Sequence, residues 1–134
     1  MDLLKKSNKI KSIPVDSADR TEIQTLVSRK DGAPNFELRK FKIMPGGNIP
    51  EHYHSDIEHE QYVLKGGYTI GVGNKTFNAE SGDAIFIPAG VKHWYKNDSK
   101  DVGEFLCIVP KTDNYETIYS DRFIFYTDLF MTSS

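Results

Sequence analysis

The chain has 134 residues and a mass of 15.2 kDa, the size of one domain able to close a core without disulfides. Lys plus Arg is 17 and Asp plus Glu is 19, a formal charge of −2, which leaves no electrostatic footprint for nucleic acid or an anionic membrane. The single cysteine, Cys107, excludes an intrachain disulfide scaffold. Residues 1–6 lack the apolar stretch of a signal peptide, and no run approaches the roughly 20 apolar residues of a membrane-spanning helix. A cytoplasmic protein with a reduced thiol, and with neither a nucleic-acid nor a membrane partner, is expected.

Residues 1–15 are polar and lysine-rich, with weak alternation at Ile10, Ile13 and Val15. This predicts a mobile start and then a short edge strand. Residues 21–28 carry Ile23, Leu26 and Val27 and read as another strand, followed by the turn signal Asp31-Gly32-Ala33-Pro34. From Asn35 onward short strands and turn signals alternate. A strand over 36–44 is expected to stop at Pro45-Gly46-Gly47. Further strands are expected over 61–64, 68–72, 75–77, 84–87, 93–96 and 103–109, punctuated by Gly66-Gly67, Gly73-Asn74, Ser81-Gly82, Pro88-Ala89-Gly90, Asn97-Asp98 and Pro110. Such spacing predicts an all-β sandwich or barrel. The division that follows is an arm with edge strands over 1–34, a barrel over 35–110 and an extension over 111–134. The apolar groups Phe123-Ile124-Phe125-Tyr126 and Leu129-Phe130-Met131 in that extension are expected to pack on the barrel or on a second subunit.

Three of the four histidines fall between residues 52 and 59. His52 and His54 are two apart, so on a strand both imidazoles project to one face. His59 follows after enough chain for a turn, and His93 comes from a different hairpin. Converging imidazoles make a nitrogen-rich metal site, although a lone histidine is more often an ordinary core or polar residue.

The glycines and prolines around these histidines share one frame. Gly46, His52, His54, position 59 and Gly66 fit G-x5-H-x-H-x4-E-x6-G, and Gly82, Pro88, Gly90, His93 and Asn97 fit G-x5-P-x-G-x2-H-x3-N. The chain resembles the cupin superfamily over about residues 35–110, with His59 where the family usually has glutamate. The resemblance implies a double-stranded β-helix, or jelly-roll, barrel of one domain. It implies one divalent metal ion held by His52, His54, His59 and His93, with manganese expected first and Fe, Zn, Ni or Cu as alternatives. Glu58 or Glu60 is the competing carboxylate ligand should the turn differ by one residue, though alternation puts both on the face opposite His59. The subgroup resembled, with histidine between two glutamates, implies manganese and oxidase- or dioxygenase-like activity.

Alternation extends the reading to a pocket. Gln61 shares the face of His59, Tyr95 that of His93, and Phe105 that of Cys107. Over 36–44 the pattern leaves open whether Arg39, Phe41 and Ile43 or Phe36, Leu38 and Lys40 face inward, and the resemblance favours Arg39 and Phe41. The pocket candidates are therefore Arg39, Phe41, Gln61, Tyr95, Phe105 and Cys107. An inward Arg39 would hold a carboxylate or enolate, whereas an outward one is a surface arginine beside Lys40. No catalytic acid or base stands out, and Glu60, Gln61 and Tyr95 are weak candidates. The expected function is a metal-dependent oxidoreductase, dioxygenase-like, on a small enolisable, diol or aromatic substrate. The alternatives are a non-redox isomerase or lyase on a sugar acid or keto acid, and a small-molecule binding or sensing barrel. A homodimer is expected from the resemblance.

Overall fold

The structure is a computed structural model that describes residues 3–112 and 115–120 and the backbone of strand 124–127. Among the described residues there are eleven strands and no α-helix, and no helix is long and apolar enough to cross a membrane. The strands are β1 (Ile13–Pro14), β2 (Asp19–Val27), β3 (Phe36–Tyr53), β4 (His59–Lys65), β5 (Tyr68–Val72), β6 (Lys75–Ala79), β7 (Ala84–Ile87), β8 (His93–Lys96), β9 (Gly103–Pro110), β10 (Glu116–Tyr119) and β11 (Ile124–Thr127). All pairings are antiparallel, as expected for β segments joined by short turns.

Strand β3 organises the molecule. Its first half lies between β2 and β9, with Ile23 and Phe105 flanking Phe41. Its second half pairs with β8, placing Ile49 beside Tyr95 and His52 beside His93. One sheet then continues β3-β9-β4-β7 and the other β3-β8-β5-β6. The two sheets curl around a core that includes Ile23, Ile43, Val63, Ile70, Ile87, Phe105 and Val109. Each such side chain contributes about 1.5–3 kcal/mol on burial. This is the jelly-roll expected from the sequence.

The expected stop at Pro45-Gly46-Gly47 is corrected: the strand runs on to Tyr53. The Pro-Gly-Gly segment bends the strand without ending it. Gly46 takes φ +82°, a left-handed value that glycine accepts without a Cβ clash. The Gly46 amide donates to the Asn97 carbonyl at 2.8 Å, and the Asn97 amide donates to the Gly47 carbonyl at 2.9 Å. A second irregularity lies between Ile49 and His52, where the register with β8 shifts. It changes which residues face inward. Positions 39, 41, 43 and 49 are buried before it, and positions 52 and 54 after it. A bulge of this kind re-aims the side chains that follow, and Pro50 donates no ladder hydrogen bond there.

The described part of the C-terminal extension adds an edge to this frame. Ile118 pairs with Tyr53 and Tyr119 with His52, and β11 pairs with β10. Phe123 and Leu129-Phe130-Met131, expected to pack on the barrel or a partner, lie outside the described residues.

Candidate metal centre

Four buried imidazoles come together from three strands and a loop. The bulge before His52 turns His52 and His54 inward at the end of β3, His59 opens β4, and His93 opens β8 opposite His52. The rings of His52 and His93 have centroids 4.3 Å apart, and those of His52 and His54 are 5.1 Å apart. The ring of His59 lies 5.1 Å from those of both His54 and His93. The tightest group is His52, His54 and His93, each offering a ring nitrogen within 4.8 Å of the others.

Backbone carbonyls fix the tautomers of this group. The Nδ1 atoms of His52, His54 and His93 face the carbonyls of Pro50 at 2.7 Å, Glu116 at 3.1 Å and Val91 at 3.0 Å. A carbonyl only accepts, so each Nδ1 carries the proton and each Nε2 keeps its lone pair. Burial holds all four imidazoles neutral: His52 is pushed down to about 4 and His93 to about 3, with His54 and His59 well below the usual range. Neighbouring histidines add to the effect at His54, His59 and His93. His59 differs in one respect, because its buried Nδ1 has no hydrogen-bond partner among the described residues. Three preset lone pairs and a fourth imidazole with an unused ring nitrogen fit a first-row divalent ion.

The cavity beside these rings has room of about 50 Å³, enough for several waters or a small ligand. Arg39, Phe41, Gln61, Tyr95, Phe105 and Cys107 all line it. Phe41 stacks on Phe105 at 5.0 Å, and Phe105 on Tyr95 at 5.1 Å, forming an apolar wall. With the Gln61 amide as oriented, its Nε2 donates to the Tyr95 hydroxyl at 2.6 Å. Burial pushes the Tyr95 hydroxyl well above its usual range, so it holds its proton. Burial also raises the Cys107 thiol, against the opposing pull of Arg39.

Glu60 is placed elsewhere. It alternates to the outer face of β4, is exposed and does not line the cavity. Its carboxyl is pushed up to about 7 by local desolvation and by Glu58. Glu58 is exposed too, so neither glutamate faces the imidazoles. Sequence reasoning missed Tyr115, Thr117 and Tyr119, which line the cavity from the extension, and Asp16 at its rim. The period-2 spacing of residues 115, 117 and 119 was the available signal. Asp16 carried none, because it sits in a turn before Ser17, a non-glycine residue at φ 63°.

A curled antiparallel barrel with clustered neutral imidazoles in its interior defines a small β-barrel protein whose histidine cluster is compatible with a metal ion. The cupin domain family matches residues 39–109, more than half of the chain, and the chain belongs to that family. Among solved structures it is similar to the polyketide cyclase RemF from Streptomyces resistomycificus, at 28% identity and a TM-score of 0.81, covering 92% of this chain and 89% of that one. A predicted oxalate decarboxylase from Thermotoga maritima is 21% identical with a TM-score of 0.72, covering 82% and 100%. A sugar phosphate isomerase from Silicibacter pomeroyi is 20% identical with a TM-score of 0.75, covering 88% and 82%. The last two likenesses concern the fold alone. No curated protein matches the sequence.

Proposed function

We propose that the chain is a metal-dependent enzyme acting without redox change on a small enolisable carbonyl compound, by an isomerase-, lyase- or cyclase-like reaction. The observation that carries this reading is the set of three Nε2 lone pairs, left free by the carbonyls that hold each Nδ1, beside a partly open aromatic cavity. The likeness to a polyketide cyclase supports it. His52, His54 and His93 would hold the ion with His59 as the fourth ligand, and a bound divalent ion supplies Lewis acidity for a carbonyl oxygen. Manganese is the ion the resemblance implies, and zinc, iron, nickel and copper suit the same nitrogens.

The chain's own groups supply the rest. The stack of Phe41, Phe105 and Tyr95 excludes water from one wall of the cavity. Tyr95, protonated and held by Gln61, donates a hydrogen bond from its hydroxyl to a substrate oxygen. Asp16 is the carboxylate among the described lining residues and takes up the substrate proton at the rim.

The dioxygenase-like reading rests on the same imidazoles, which suit iron or manganese. One experiment separates the two. Protein purified without a tag is analysed for metal, then given a β-dicarbonyl substrate under air and under argon. Equal turnover in both atmospheres, lost in His52→Ala together with the metal, is expected. Turnover only under air selects the dioxygenase, and protein that takes up no divalent metal overturns both readings.

We further infer a homodimer. Val27, Leu38, Ile108 and Phe86 form an apolar row across the outer face of β2, β3, β9 and β7, crossing β4 at Glu60. Tyr62 and Phe86 on that face are about half exposed, at 50% and 58%. A second copy is a partner that covers such a face. Sedimentation at twice 15.2 kDa, falling to the single-chain mass in Phe86→Glu, is the expected result.

A further inference from the structure

The cavity contains a charge that no described residue pairs as a counter-ion. Arg39 is only 2% exposed and lines the cavity. Its guanidinium meets neutral partners alone among the described residues: Nη1 donates to the Tyr115 hydroxyl at 3.2 Å and Nη2 to the Cys107 sulfur at 3.6 Å. Its Cζ lies 5.3 Å from the Phe41 ring centre and 5.6 Å from that of Tyr115. The ring faces take up part of the charge but give the fork of N–H donors no acceptor. The buried Nε has no hydrogen-bond partner among the described residues. Glu37, two residues back on the same face, feels the guanidinium without forming an ion pair with it. Asp16, at the rim, forms none either among the described residues.

A buried charge without a counter-ion is costly, and arginine is almost never fully buried unless paired. Removing such an arginine in favour of an apolar residue is often neutral or stabilising, so folding alone does not account for Arg39. The missing partner is one that arrives in the cavity. We propose that Arg39 is the binding site for the carboxylate of a small anionic substrate. This rests on the enzyme reading above and narrows its substrate class to small oxo acids, with the carboxylate on Arg39 and the carbonyl towards the histidines. A planar carboxylate matches the guanidinium fork in two parallel hydrogen bonds, and room of about 50 Å³ selects a small one.

The test titrates sodium acetate, with acetamide as its uncharged counterpart, into wild type, Arg39→Met and Arg39→Lys, each metal-free and zinc-loaded. Dissociation constants are read by NMR and folding by circular dichroism. Wild type is expected to prefer acetate about tenfold or more in both states. Arg39→Met loses that preference in the metal-free protein, and Arg39→Lys, which keeps the charge without the fork, retains part of it. A preference absent from metal-free wild type, or retained in metal-free Arg39→Met, overturns the proposal. If Arg39→Met does not fold, an unchanged preference in Arg39→Lys overturns the two-bond assignment. Stoichiometric metal without acetate preference removes the Arg39 site and leaves the enzyme reading standing. Acetate preference without metal uptake does the reverse.

Discussion

At the scale of the residue, His59 and Asp16 carry the sharpest expectations. His59 touches the His54 and His93 rings, yet it stands outside the tight group of three. His59→Ala should therefore weaken metal binding by about 10–100-fold, whereas His93→Ala should abolish stoichiometric binding. Competition with a chelator measures both. Asp16 is exposed, so Asp16→Asn should leave stability within about 0.5 kcal/mol of wild type. As the proton acceptor, its loss should lower kcat by about 10²–10⁴-fold with little change in KM. Equal kcat in the two proteins would remove Asp16 from the mechanism. The clustering of the histidines was legible in the sequence because their spacing fits the two motifs of the family the chain resembles, whereas the i, i+2 pair alone was weak evidence. The isolation of Arg39 was not legible, since it depends on which residues fail to reach it from other strands.

At the scale of the element, the second motif's asparagine explains why the first motif works. Asn97 is fully buried, and its Nδ2 donates to the Ile43 and Asp101 carbonyls, both at 2.8 Å. Its Oδ1 accepts from the Ser99 amide at 3.0 Å and the Ser99 hydroxyl at 2.7 Å. With the backbone bonds to Gly46 and Gly47, this ties the bend of β3 to the turn between β8 and β9. Asn97→Ala should cost about 2–4 kcal/mol, because it removes the buried donor to the Ile43 carbonyl and the acceptor of both Ser99 hydrogen bonds, and should lower metal affinity through the displaced β3. Urea unfolding checks the first effect. Alternation made the inward faces of β4, β8 and β9 readable: His59, Gln61, Tyr95, Phe105 and Cys107 all lie where period 2 puts them. On β3 it left the register of 36–44 open and did not reveal that the strand runs on through a bulge, which changes the parity between Ile49 and His52. Trp94 shows the converse, a contact that no periodicity announces. Its indole lies where a Cβ on Gly71 would stand, so the glycine is required by close approach across β5 and β8.

At the scale of the whole molecule, the buried imidazoles link folding to pH. An unfolded chain protonates its histidines near the usual 6.5, whereas the folded metal-free chain holds His52 near 4 and His93 near 3. The unfolded state binds more protons in that window, so stability is full above about pH 6.5, falls as pH drops and has lost this contribution below about 3. The Tm of metal-free protein should decline between pH 7 and pH 4, and a flat profile would mean that the imidazoles are solvated. Bound metal should shift the decline to lower pH, since it competes with the protons. The barrel itself was legible from turn spacing, but the contribution of Tyr115, Thr117 and Tyr119 to the cavity was hidden in a polar stretch. The sharing of β3 between two sheets also bears on time. Its partners in β9 run from Gly103 opposite Ile43 to Pro110 opposite Phe36, so the central pairing closes loops of about half the chain. Such non-local topology slows folding to the millisecond-to-second range. His52 meets His93 only across the β3–β8 pairing, so a nascent chain that ends before His93 holds at most three of the four clustered imidazoles.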